Sequence, residues 1–117
     1  MKKILVADDE MSIRLLYSEE LKEEGYDVYL AANGREAMEI VDKVPLDLVI
    51  LDIKMPEMDG IEALRQIKEK RPGLPVLLST AYGEYKQDFA TWASDEYLVK
   101  SSDLEDLKSM VKRYLKE

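Results

Sequence analysis

Acids, a pair of hydroxyls and a lysine recur at the ends of the apolar stretches of this chain. Asp8-Asp9-Glu10 closes a stretch that starts at Lys3, Asp52 closes one that starts at Asp47, Ser79-Thr80 closes one that starts at Pro75, and Lys100 follows the short run 96–99. Each stretch has the length and composition of a β-strand, so every reactive side chain falls at a carboxyl terminus. In a parallel sheet these termini meet along one edge, and with strands one and three adjacent, three carboxylates come within a few ångströms of each other. Two like charges about 4 Å apart at an effective dielectric of about 20 repel by ~4 kcal/mol, so a positive group should compensate. Mg²⁺ suits such ligands, since it takes one or two carboxylates, keeps several waters and is commonly completed by phosphate oxygens. Lys100 supplies a second positive charge. With charge neutralised, one carboxylate can attack a phosphoryl group. Mg²⁺, the Lys100 ammonium and the Thr80 hydroxyl would then face the oxygens over which the transferring group spreads its charge.

Composition narrows the field of partners and chemistries. The 117 residues are 46% apolar and 36% charged, a mix that folds as one soluble domain, and none remain for an output domain. A formal charge of −8 opposes both a nucleic-acid groove and an anionic membrane surface. No apolar stretch approaches the roughly 20 residues that span a bilayer, and Met-Lys-Lys leads into a strand rather than a signal peptide, so a cytoplasmic protein is expected. There is no cysteine and no histidine, which excludes disulfides, thiolate metal sites and an imidazole base. In any histidine-to-aspartate relay, such a chain stands on the aspartate side.

The elements that must position these groups alternate along the chain. Strands are expected at 3–8, 27–31, 47–52, 75–80 and 96–99, apolar throughout, as in a sheet covered on both faces. Ile13, Leu16, Tyr17 and Leu21 mark the inward side of a first helix that Gly25 caps. Asn33 with Glu36 opens a second, whose stripe is Ala37, Ile40, Val41 and Val44 before Pro45. A third starts near Gly60, turns Ile61, Leu64 and Ile67 inward, and ends at Pro72-Gly73. Polar interruptions leave open the bounds of a short fourth helix around 85–92. The fifth opens on a Ser102/Glu105 capping box and carries Leu104, Leu107, Val111 and Leu115. Five β-α units predict an α/β fold, a doubly wound five-stranded parallel sheet of order 2-1-3-4-5 with its crevice at the strands' carboxyl ends.

Asp8-Asp9, the segment from Asp52 through Met55-Pro56 to Met58-Asp59-Gly60, Thr80-Ala81 and Tyr97-Leu98-Val99-Lys100 together resemble the receiver domain of bacterial two-component response regulators, the CheY-like family. Lys54 and Tyr82-Gly83-Glu84 are similar to the receivers of sporulation-type phosphorelays. The resemblance implies that Asp52 is phosphorylated and that Asp9 and Asp52 bind Mg²⁺, with Asp8 assisting through water and the Lys54 backbone carbonyl completing the protein ligands. It further implies that Thr80 and Lys100 contact the phosphoryl oxygens and that Tyr97 turns inward as Thr80 moves. The implied donor is a sensor histidine kinase or a histidine phosphotransfer protein, docking on the first helix, and the phosphorylated form would act on a downstream protein. Lys54 and Tyr82, long side chains at the rim, would slow hydrolysis by excluding water.

Some residues depart from the family's pattern. Ser101 stands where a proline usually follows the lysine, Ala93-Ser94 replaces the usual Gly-Ala, and the interval from Thr80 to Lys100 is about two residues short for the family. A cis bond without proline costs about 2.5–4 kcal/mol, so the Lys100–Ser101 peptide is expected to be trans. These departures make a phosphorylation-uncoupled binding module the first alternative. A Mg²⁺-dependent phosphatase is a second, disfavoured because Asp8-Asp9-Glu10-Met11-Ser12 lacks that class's D-x-D-x-T pattern.

Overall fold

Every residue of Leu48–Asp52 is buried, as expected of a central strand in a sheet covered on both faces. The computed structural model describes residues 1–53, 55, 57–58, 60–80, 96–99 and 104–115, with the backbone alone at 80 and 96–99. In chain order these form β1 (Lys3–Ala7), α1 (Met11–Glu23), β2 (Asp27–Ala31), α2 (Gly34–Lys43), β3 (Leu48–Asp52), α3 (Gly60–Lys70), β4 (Val76–Thr80), β5 (Glu96–Val99) and α4 (Glu105–Leu115). The five strands make one parallel sheet of order β2-β1-β3-β4-β5, as expected. α4 is the helix expected as the fifth; the region of the expected fourth, 81–95, lies outside the described residues, as do Ser102 and the Lys100–Ser101 peptide.

Side-chain alternation divides the core into two. Leu5, Val49, Leu51, Val76 and Leu78 face α2 and α3, where Ala37, Met38, Val41, Ala63, Leu64 and Ile67 cover them. Ile4, Val6, Leu48, Ile50 and Leu77 face α1 and α4 and meet Tyr17, Leu21, Leu107, Val111 and Leu115. Among the described side chains, edge strand β2 departs most from solid burial, with three of its five residues half-buried and Leu30 exposed.

Local chemistry sets the helix ends. Gly25 takes φ 95°, and the paired bonds Gly25 N–H to Lys22 O (3.0 Å) and Tyr26 N–H to Leu21 O (3.2 Å) close α1 as a Schellman motif. At α2 the Asn33 side chain accepts from Glu36 N–H at 2.8 Å, while the Glu36 carboxylate accepts from Ala32 N–H at 2.7 Å. This is a capping box displaced by one residue at its return bond.

The inward stripe expected on α1 is corrected at one position. Tyr17 and Leu21 are buried and Ile13 is partly so, but Leu16 is 38% exposed. One residue step turns a helix by about 100°, so Leu16 cannot share the line that Ile13, Tyr17 and Leu21 keep at spacing four. On α2, Ile40 and Val44 are partly buried, and Met38 takes a place in the core that the stripe did not include.

Candidate functional site

Register places the reactive residues. Ala7 pairs with Leu51, so the next residues, Asp8 and Asp52, stand side by side where β1 and β3 end. Adjacent strands run about 4.8 Å apart, and the two ladders continue one residue further, through Asp8 N–H to Ala31 O (3.0 Å) and Ile53 N–H to Ser79 O (3.1 Å). Asp52 pairs with Ser79, and Thr80 with Val99, immediately before Lys100. Asp8 is 2% and Asp52 5% exposed, so both carboxylates lie at the bottom of the edge rather than on its rim. Burying charge at this density is costly unless it is paired or coordinates a cation.

The β1–α1 turn is fixed by its own groups. One Asp8 carboxylate oxygen accepts from Glu10 N–H at 2.9 Å, and Arg14 Nη1 donates to the Asp8 backbone carbonyl at 2.7 Å. The plain reading of a strand-end acid, a cap for the helix that follows, is thus realised in part by Asp8. One carboxylate oxygen from each of Asp8, Asp9 and Glu10 lies within 4.8 Å of the other two. This all-oxygen donor set fits a hard cation such as Mg²⁺.

The β3–α3 loop is held by two close approaches. A Cβ on Gly60 would lie 2.0 Å from the Asp52 carbonyl oxygen and 2.8 Å from Ile53 Cα, and Gly60 N–H donates to Ile53 O at 2.7 Å. The start of α3 is thereby pressed against the backbone that carries Asp52. A Cβ on Gly34 would lie 2.1 Å from the Met58 carbonyl oxygen, so α2 clamps the far side of the same loop. Glu57 turns this loop through a left-handed conformation, φ 68°.

Of the residues singled out by sequence, Asp8, Asp9 and Asp52 are brought to one edge together with the backbone of Thr80. Tyr97 pairs in register with Leu78, with its backbone alone described. Lys54, Tyr82 and Lys100 lie outside the described residues. Sequence reasoning passed over Arg14, although a cation in the first turn of a helix, where the dipole disfavours it, is a signal in itself. Glu10 and Ser79, grouped by sequence with the reactive strand-end residues, were given no role of their own; Glu10 offers a third oxygen donor, and among the described residues the buried Ser79 Oγ has no hydrogen-bond partner.

Comparison with known proteins agrees with this geometry. The family model of the response regulator receiver domain matches residues 4–112. The chain is 40% identical over 116 residues to sporulation initiation phosphotransferase F of Bacillus subtilis, covering 97% of this chain and 94% of that protein. It is 35% identical over 117 residues to the regulatory protein AtoC of Escherichia coli, covering 98% of this chain but only 25% of that longer protein. Among solved structures, response regulator TrrA of Thermotoga maritima in complex with Mg²⁺-BeF superposes with a TM-score of 0.95 at 47% identity, covering 97% of this chain and 99% of that one. TrrA in complex with histidine kinase ThkA matches with a TM-score of 0.92 at 48% identity, covering 98% and 99%.

Proposed function

We propose, from the premise that the chain belongs to the response regulator receiver domain family, that its Asp52 is the residue that takes a phosphoryl group. The observation that carries the reading is the buried Asp52 carboxylate at the end of the central strand, in register beside Asp8 and backed by the Gly60 contact. An Asp52 oxygen attacks phosphorus, the O–P bond forms as the bond to the donor breaks, and an aspartyl-phosphate results. Asp8, Asp9 and Asp52 would hold Mg²⁺, with the Lys54 carbonyl as a further ligand. The cation would supply charge neutralisation for the acids and the phosphoryl oxygens. Thr80 ends β4, paired with Val99, and Lys100 is the residue after β5; both would meet those oxygens from the other side.

The donor in this reading is a histidine kinase or a histidine phosphotransfer protein, as supported by the likeness to TrrA, which has been crystallised with a histidine kinase. α1 offers a suitable face, where Met11 (64% exposed), Leu15 (56%) and Leu16 (38%) are bare. The switch would run through Thr80 and Tyr97 to a downstream protein, with Lys54 and Tyr82 slowing hydrolysis. We read the chain as a cytoplasmic signalling acceptor that catalyses only its own phosphorylation and dephosphorylation. Among the described residues, no helix is long and apolar enough to cross a membrane.

Intact-protein mass after incubation with acetyl phosphate tests the central claim. The expected outcome is a Mg²⁺-dependent, base-labile gain of one phosphoryl group, absent in Asp52→Ala. A folded protein that gains nothing would remove Asp52 from this role, and turnover of a generic phosphomonoester would favour the phosphatase. Ser101 in the usual proline position favours the uncoupled binding module as the second reading; phosphorylation without any change in partner affinity would support it.

A further inference from the structure

Among the described residues, Ser79 Oγ is the buried side-chain polar atom that lacks any hydrogen-bond partner. The residue is 1% exposed, and the three before it, Val76, Leu77 and Leu78, are fully buried apolar side chains. Any of those types would occupy position 79 without the desolvation that an unpaired hydroxyl incurs. A native site that breaks this rule calls for an explanation, and position supplies one.

Ser79 is the register partner of Asp52. Alternation puts it on the side of the sheet that Leu77 shares with Leu48 and Ile50, and Asp52, two residues after Ile50, lies on the same side. Side chains in register on one face of adjacent strands are neighbours across about 4.8 Å of backbone separation, and a serine hydroxyl is a rotor that can aim at either side. The hydroxyl therefore lies beneath the acceptor, screened from solvent by the sheet edge.

We propose that Ser79 is a positioning residue of the acceptor site, whose hydroxyl donates a hydrogen bond to the Asp52 side chain in the phosphoryl-loaded state. This rests on the reading of Asp52 as acceptor. Loading converts one Asp52 oxygen into a link to phosphorus and reorients the other, which changes what the buried donor beneath it can reach. A bond made only in the loaded state raises the affinity of the site for the phosphoryl group without stabilising the empty protein.

Mg²⁺ with beryllofluoride, the phosphoryl mimic bound by the related TrrA, provides a readout that needs no turnover. Thermal denaturation in Mg²⁺, titrated with beryllofluoride, is compared for wild type, Ser79→Ala, Ser79→Thr and Asp52→Ala. Without beryllofluoride, Ser79→Ala should melt at or above wild type. With it, Ser79→Ala should need a roughly 3- to 10-fold higher concentration for half its shift, the range of one lost hydrogen bond, and Ser79→Thr should recover most of the difference. Equal half-shift concentrations for Ser79→Ala and wild type overturn the proposal while leaving Asp52 in its role. A melting point lowered to the same extent with and without the mimic also overturns it, since the hydroxyl would then be structural. A wild type that does not respond to the mimic removes the acceptor reading and this proposal with it.

Discussion

Gly60 shows how a single residue sets the position of the chemistry. Its missing Cβ leaves room for the Asp52 carbonyl, which would otherwise be only 2.0 Å away, and the obstructing atoms are backbone that no rotamer change can move. Gly60→Ala must therefore separate α3 from the end of β3. We expect a loss of about 1–3 kcal/mol, the usual cost of overpacking a tight site, read as a lower urea midpoint with an unchanged slope. Labelling of Asp52 by acetyl phosphate should also slow, and a variant as stable and as quickly labelled as wild type would show that the contact relaxes freely. The place of Gly60 at the start of a helix was legible in the sequence. Its pressure on Asp52 was not, because the contact depends on how the loop folds back. Ser79 and Arg14 were hidden for the same reason: a serine at a strand end reads as ordinary until register sets it beside an acid, and the partner of Arg14 is a backbone carbonyl that no sequence pattern marks.

At the scale of elements, the strands were legible because buried parallel strands are apolar throughout, and the caps because Asn33 and Gly25 are residue types tied to particular backbone geometries. The outer face of α1 was less so. Leu15 and Leu16 are both apolar, and spacing alone does not say which apolar residues turn away. Ion pairs tie α1 and its C-cap residue to α4: Lys108 to Glu20 at 2.8 Å and Lys112 to Glu24 at 3.4 Å. The hydrogen bond that the Lys108 ammonium donates to the Glu20 carboxylate holds its pKa above the ordinary 10.5. A group whose pKa is raised by folding contributes stability below its unfolded value and loses it as pH rises through the folded one. Glu20→Gln should therefore denature at lower urea than wild type at pH 7–9. The two midpoints should converge as the pH passes above 10.5 and Lys108 loses its proton. A gap that persists unchanged at high pH would mean that Glu20 acts through packing.

On the scale of the whole molecule, the reactive edge and the exposed side of α1 adjoin, because α1 begins three residues after Asp8. Met11, Leu15 and Leu16 expose apolar surface in a chain of net charge −8, where a solvated helix face would ordinarily carry charge. In the proposed reading a phosphohistidine must approach Asp52 closely to react, so a donor protein has to rest on surface beside the edge, and among the described residues this face is an apolar part of it. Leu15→Ser removes the centre of the face and leaves every acid in place. Loss of one well-buried leucine contact is worth about 1.5–3 kcal/mol, or roughly 10- to 150-fold in affinity. We expect transfer to Leu15→Ser from a histidine kinase that phosphorylates the wild type to weaken by about that factor at low kinase concentration. Labelling by acetyl phosphate, which needs no docking, should be unchanged. If both donors slow equally, the substitution has disturbed the site itself. If neither does, the donor rests elsewhere on the rim and the bare leucines of α1 serve another contact.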